Sequence, residues 1–204
     1  MARETKRVSI PDLTEAGYLE ELETAIQLRP AVEQGAVWAV SSLCDGEGKT
    51  TMAWNLGRLL ARRGTPVVVA SVDAEALPGG DDVPTLAGWV DGNASKPEGD
   101  GPRLVSIPTP LAAQTLSADA PRAWAPPRGH LILDLHPLDH VLTTHLAARA
   151  DGLLLVVDSS RARVDELVEA RGRLQQMGIP LLGMVLNRHP SPVPRILRAR
   201  LGFD

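Results

Sequence analysis

Six apolar runs punctuate the chain: AVWAVSS (36–42), PVVVASV (66–72), RLVSI (103–107), GHLILDL (129–135), DGLLLVVD (151–158) and PLLGMVLN (180–187). They are close to continuous in Val, Leu and Ile rather than alternating with polar residues. That pattern belongs to strands covered on both faces, as in a parallel sheet. Between the runs the spacing turns helical. Residues 50–64 place Met52, Leu56, Leu59 and Leu60 on one face and stop at Gly64, with Pro66 just beyond. Residues 163–178 repeat the arrangement with Val164, Leu167, Val168 and Leu174, stopping at Gly178 and Pro180. Gly and Pro in those places end helices. The predicted class is α/β, a doubly wound, mostly parallel sheet with these two segments as crossover helices. Segments 76–101 and 119–129, rich in Gly, Asp and Pro, are predicted as surface connectors with one short helix between them. A further helix, LTEAGYLEELETAIQLR, is predicted before Pro30, so residues 1–30 are expected to form a helical arm on a single domain spanning 1–204.

The stretch SSLCDGEGKTTM (41–52) stands where the first strand gives way to the first crossover helix. A phosphate cradle needs inward-facing backbone N–H groups, glycines that allow close approach, a lysine for the outer phosphates and a hydroxyl for Mg²⁺, all at a helix N-terminus. Gly46, Gly48, Lys49 and Thr50 supply these parts in that order, with the Gly46–Thr51 amides as the cradle. This predicts a P-loop NTPase fold. The leading glycine of the usual G-x-x-x-x-G-K-[ST] pattern falls at Leu43, so the strict pattern is not met. Asp134 and Asp73 each lie at the end of an apolar run, where a carboxylate comes close to a phosphate site and its Mg²⁺.

With its flanks, SSLCDGEGKTT resembles the phosphate loop of the bacterial tyrosine kinases of capsule and exopolysaccharide synthesis, within the wider group of ParA- and MinD-like ATPases. The positioning ATPases of that group carry a lysine at the place of Cys44, and the polysaccharide kinases usually carry proline at the place of Asp45. GTPVVVASVD (64–73) is similar to the family's second motif, in which Asp73 takes the second aspartate position and Ser71 the first. The arginine that follows in the family falls near Glu75. GHLILDLHP (129–137) resembles the Walker B strand, with Asp134 as its aspartate and His136-Pro137 where two prolines are usual. The segment 150–188 resembles the final strand–helix–strand and ends at Asn187. The resemblance implies ATP and Mg²⁺ as cofactors, with Gly46, Glu47, Gly48, Lys49, Thr50, Thr51 and Asn187 binding nucleotide and Asn187 against the base. It implies Thr50, Asp73 and Asp134 holding Mg²⁺ directly or through water, and Lys49, Asp73 and Asp134 as the catalytic set. It also implies a membrane chain-length-regulator protein as activating partner.

The remaining features modify that picture. Tyr18 is the single tyrosine of the chain and the tail PSPVPRILRARLGFD has none, so tail autophosphorylation of the kinase type is excluded. Where the family's N-terminal helix carries paired arginines for ring assembly, this chain has Glu20 and Glu23, with Gly17 at the preceding glutamate position. Charge there is inverted, which leaves self-association open. A net charge of −4 and a pI near 5.7 give no electrostatic reason for a nucleic-acid partner. Arg195, Arg198 and Arg200 form a small basic cluster on a predicted terminal helix. Cys44 as the one cysteine rules out an internal disulfide, and no apolar run is long enough to cross a bilayer, so a cytoplasmic location is expected, with membrane contact only through a partner. Three readings stand: an ATPase or kinase acting in trans, a catalytically weak nucleotide-responsive subunit, and a positioning ATPase, which Cys44 disfavours.

Overall fold

All six predicted apolar runs are strands in the computed structural model, which describes residues 35–79, 82–90, 101–107 and 120–188 together with Leu19 and Ile26. They are β1 (Ala36–Ser42), β2 (Val67–Ser71), β3 (Arg103–Ser106), β4 (His130–Asp134), β5 (Gly152–Asp158) and β6 (Leu181–Asn187). Every pairing is parallel, in the order β3-β2-β4-β1-β5-β6. Among the described residues five α-helices connect them: α1 (Lys49–Ala61), α2 (Leu86–Val90), α3 (Ala120–Trp124), α4 (Val141–Ala147) and α5 (Val164–Gln176).

Burial on both faces explains the continuous apolar runs of the inner strands β1, β2, β4 and β5. Val37, Ala39, Val68, Ala70, Leu131, Leu133, Leu153 and Leu155 point to one face and join Leu86, Trp124, Leu146, Ala170 and Leu174. Their chain neighbours Trp38, Val40, Val67, Val69, Ile132, Leu154 and Val156 point to the other, against Met52, Leu56 and Leu60 of α1. Leu19 and Ile26 are buried on that second face as well. The rest of the predicted arm, with Gly17, Tyr18, Glu20 and Glu23, lies outside the described residues, as does the basic tail cluster. No helix among the described residues is long and apolar enough to cross a membrane.

Three departures from the sequence pattern have physical causes. On α5 the stripe is narrower than its spacing suggests: Ala170 and Leu174 are buried, whereas Val164 and Val168 are exposed, because the helix packs at the β6 end of the sheet. The connector 119–129 contains α3, whose Trp124 is buried and whose Arg122 bonds the Gly35 carbonyl and the Asp151 carboxylate. Asp151 also accepts from the Val37 amide, at 2.8 Å, which fastens the start of β1. The helix α4, unsignalled by its β-branched sequence VLTTHLA, is capped by the His140 side chain, whose Nδ1 accepts from Leu142 N–H.

The order of strands sets the site. The chain leaves β1 towards β2 and leaves its neighbour β4 towards β5, in opposite directions, so the carboxyl ends of β1 and β4 open into a crevice. Register completes it: Asp134 stands level with Val40 on one side and Ser71 on the other.

Candidate functional site

The loop between β1 and α1 is built from both ends. Ser41 Oγ donates to the His136 carbonyl (2.7 Å) and Ser42 Oγ to the Cys44 carbonyl (2.7 Å), which turn the chain out of the strand. Gly46 and Gly48 have φ of +79° and +96°, left-handed values that side chains rarely adopt. Glu47, between them, is 4% exposed. Its carboxylate turns inward and accepts from Leu43 N–H (2.7 Å), Cys44 N–H (2.9 Å) and Asp158 N–H (3.0 Å). The side chain therefore braces the loop against β5, leaving only its backbone towards the crevice. Asn187, expected to lie against a base, donates its Nδ2 to the Glu47 carbonyl (2.8 Å), and its Oδ1 accepts from Arg188 N–H. Gly48 sits so close that a Cβ there would overlap the Asn187 amide. Asp158 is buried at the end of β5. Hydrogen bonds from Ser160 and the Arg188 guanidinium (2.8 Å) hold its carboxyl below the usual carboxylate range.

Lys49 and Thr50 open α1, with Gly48 as its N-cap. The Thr50 hydroxyl and the Lys49 ammonium both lie close enough to the Asp134 side chain to act on its carboxyl. Asp134 is 1% exposed, and burial pushes it up from 3.8 to about 6, against the opposing pull of the Ser71 and Thr50 hydroxyls and Lys49. Ser71 Oγ donates to Asp134 Oδ2 (2.7 Å) and accepts from Asp73 N–H (3.0 Å). Asp73 is exposed beyond the end of β2, near enough for its charge to act on Asp134. Thus the structure brings Lys49, Thr50, Asp134 and Asp73 to one place. Thr51 is the next residue on α1, and its carbonyl accepts from the Asn55 side chain (2.8 Å).

Asp134 Oδ1 is buried without a hydrogen-bond partner in a carboxyl whose other oxygen is engaged. A buried, hard oxygen ligand beside a threonine hydroxyl fits Mg²⁺, which needs few protein ligands and keeps its waters. His136, whose ring lies 4.5 Å from that of His140, is near enough for Lys49, Asp45 and Asp73 to act on it; burial and then the neighbouring His140 keep its imidazole below its ordinary value. Among the described residues no group of three or more His, Cys, Asp or Glu side chains is arranged to hold a metal.

Two residues of this site escape sequence reasoning. Ser71 reads as a missing acidic ligand, yet its hydroxyl donates to Asp134. Asp158 carries no motif signal and meets Glu47 only through the fold. In sequence, the sole hint is an acid set between two glycines.

The CobQ/CobB/MinD/ParA nucleotide binding domain family matches residues 38–199, from β1 through β6 and beyond. The chain belongs to this family. Within it, the chain is 24% identical over 190 residues to the tyrosine-protein kinase CpsD of Streptococcus agalactiae serotype III, covering 84% of this chain and 81% of the relative. Its fold superposes on the kinase domain of VpsO with a TM-score of 0.64, at 22% identity over 86% of this chain and 96% of that one. It also superposes on the cobyrinic acid a,c-diamide synthase of Mycobacterium smegmatis solved with ADP and magnesium, with a TM-score of 0.59 at 19% identity over 83% and 81% of the two chains.

The raised Asp134 value carries a sign. The folded chain holds this proton up to about pH 6 and the unfolded chain only to about pH 4, so stability falls as pH rises between them, by about 3 kcal/mol in isolation. Urea denaturation of the wild type and Asp134→Asn between pH 4 and 7 is expected to show this slope in the wild type and a flatter profile in the variant. Parallel profiles would mean that Asp134 titrates normally.

Proposed function

We propose that the chain binds ATP with Mg²⁺ at this crevice and acts as an ATPase, or as a kinase in trans, in capsule or exopolysaccharide polymerisation and export. The observation that carries the reading is the convergence of Lys49, Thr50 and Asp73 on Asp134, whose Oδ1 is unsatisfied. In this reading the Gly46–Thr51 amides receive the phosphates at the start of α1, and Lys49 neutralises the outer ones. Thr50 and Asp134 hold Mg²⁺ directly or through water, and Asp73 orients a water or the metal shell. The metal, when bound, supplies charge neutralisation on the transferring phosphoryl group. Asn187 borders the nucleotide from the loop's far side. A chain-length-regulator membrane protein is the expected activator and would bring an otherwise cytoplasmic chain to the membrane.

A second reading, a nucleotide-responsive subunit of low turnover, is favoured by one observation. Ser71 occupies the first aspartate position of the family motif, and its hydroxyl is committed to Asp134 and the Asp73 backbone. One acid fewer faces the phosphate.

Incubation with radiolabelled ATP and Mg²⁺ separates these readings. Phosphate release alone indicates an ATPase, labelling of an added protein substrate indicates a kinase, and binding with neither, even with the activator present, supports the low-turnover subunit. Lys49→Ala is expected to weaken ATP binding about ten- to a hundredfold, the loss of a charge-assisted contact, followed by fluorescence of the half-buried Trp54 on α1 or by equilibrium dialysis. Absence of ATP binding by the wild type would overturn the proposal.

A further inference from the structure

The phosphate loop carries one charge that its proposed role does not explain. Asp45 stands on the exposed crest of the loop, its side chain 84% exposed, and its Oδ1 lies 3.0 Å from Lys49 Nζ. Lys49 is itself only 13% exposed. The ammonium that the nucleotide reading assigns to the outer phosphates is thus directed to an acid four residues earlier on the same loop. As a surface ion pair this contact holds Lys49 only weakly, since exposed pairs exchange with water at little net cost. Its stronger consequence is electrostatic. A carboxylate fixed beside the lysine lies within a few ångströms of any phosphate that the lysine receives, and like charges at that range repel measurably even in a solvated site. Polyanions are therefore admitted according to how much of their charge is already cancelled.

Resting on the nucleotide-binding reading above, we propose that Asp45 is a specificity-determining residue. It competes with phosphate for Lys49 and makes the site prefer the Mg²⁺ complex of the nucleotide over the free polyanion. Mg²⁺ cancels about half the charge of a triphosphate, so the repulsion from Asp45 falls mainly on the metal-free form. Neither the serines that turn the chain nor the Glu47 brace depends on the Asp45 side chain, whose hydrogen bond among the described residues is to Lys49. The residue is therefore free to act on selectivity without organising the loop.

Asp45→Asn keeps the shape and removes the charge. Equilibrium dialysis of ATP against wild type and variant, once with Mg²⁺ and once with EDTA at matched ionic strength, reads the effect. The variant is expected to bind metal-free ATP about tenfold tighter than the wild type and the Mg²⁺ complex no more than about threefold tighter, so that the preference for the complex narrows. Raising the salt concentration is expected to close the gap between the two proteins. Thermal denaturation without nucleotide is expected to be the same for both, showing that the loop is intact. Equal affinities of the two proteins in both conditions, or weaker binding by the variant, would overturn the proposal. Failure of both proteins to bind ATP in either condition would overturn the nucleotide-site reading itself and the proposal with it.

Discussion

Gly48→Ala is expected to abolish measurable nucleotide binding and to destabilise the fold by about 2–4 kcal/mol. Two effects add. At φ +96° an L side chain costs roughly 1–2 kcal/mol of backbone strain. The new methyl group would also overlap the Asn187 amide, which must then give up its hydrogen bond to the Glu47 carbonyl. The loop can relieve the overlap only by swinging away from β6, which turns its amides out of the cradle. Gly46→Ala isolates the first effect, because its φ is +79° but nothing lies within 4 Å of the added Cβ; it is expected to cost only about 1 kcal/mol. Adding Asn187→Ala to Gly48→Ala is expected to restore the part of the stability lost to overlap and none of the part lost to strain. Urea denaturation of the wild type and the three variants beside titration with ATP measures both. Wild-type-like stability of Gly48→Ala would mean that the approach of Asn187 is not tight.

Glu47→Gln is expected to lower the melting temperature by roughly 5–10 °C, a loss of about 2–3 kcal/mol. The carboxylate accepts three backbone N–H groups with two oxygens, whereas a carboxamide has one oxygen and presents an NH₂ where its second oxygen stood. Whichever way it turns, at least one donor among Leu43, Cys44 and Asp158 faces another donor. Hydrogen exchange reports which: accelerated exchange at the Asp158 amide is expected if the oxygen stays with Leu43 and Cys44, the two-donor side. Nucleotide affinity is expected to fall as well, since the Leu43 and Cys44 peptides lose their anchor. An unchanged melting temperature together with unchanged exchange would show that Glu47 is not the brace.

The sheet was legible in the sequence because its inner strands are buried on both faces, so that burial alone wrote the continuous runs at 36–42, 129–135 and 151–158. The phosphate loop and its helix were legible because glycine, lysine and threonine spacing is local. What was not legible depends on contacts between distant parts of the chain. Glu47 looks like a polar loop residue until the Asp158 amide arrives from the end of β5, and Ser71 looks like a lost carboxylate until β4 sets Asp134 beside it. The helix α4 went unseen because its stability comes from the His140 cap and from burying Leu146 and Ala147, not from propensity. Val164 and Val168 misled for the opposite reason: an apolar residue at helical spacing is buried only if something stands opposite, and at the sheet's edge nothing among the described residues does.

The grip of Asn187 and Glu47 on the loop bears on more than shape. A glycine-containing loop in a free chain samples many conformations, and closing it around a ligand would ordinarily cost that freedom at the moment of encounter. Here the peptide between residues 47 and 48 is held at its carbonyl by Asn187, while the Leu43 and Cys44 peptides are held by the Glu47 carboxylate. The entropy is lost when the protein folds. On the proposed nucleotide-binding reading, a phosphate group arriving at the crevice would meet a loop already held in place, so association would be limited by diffusion and charge rather than by waiting for the loop to order.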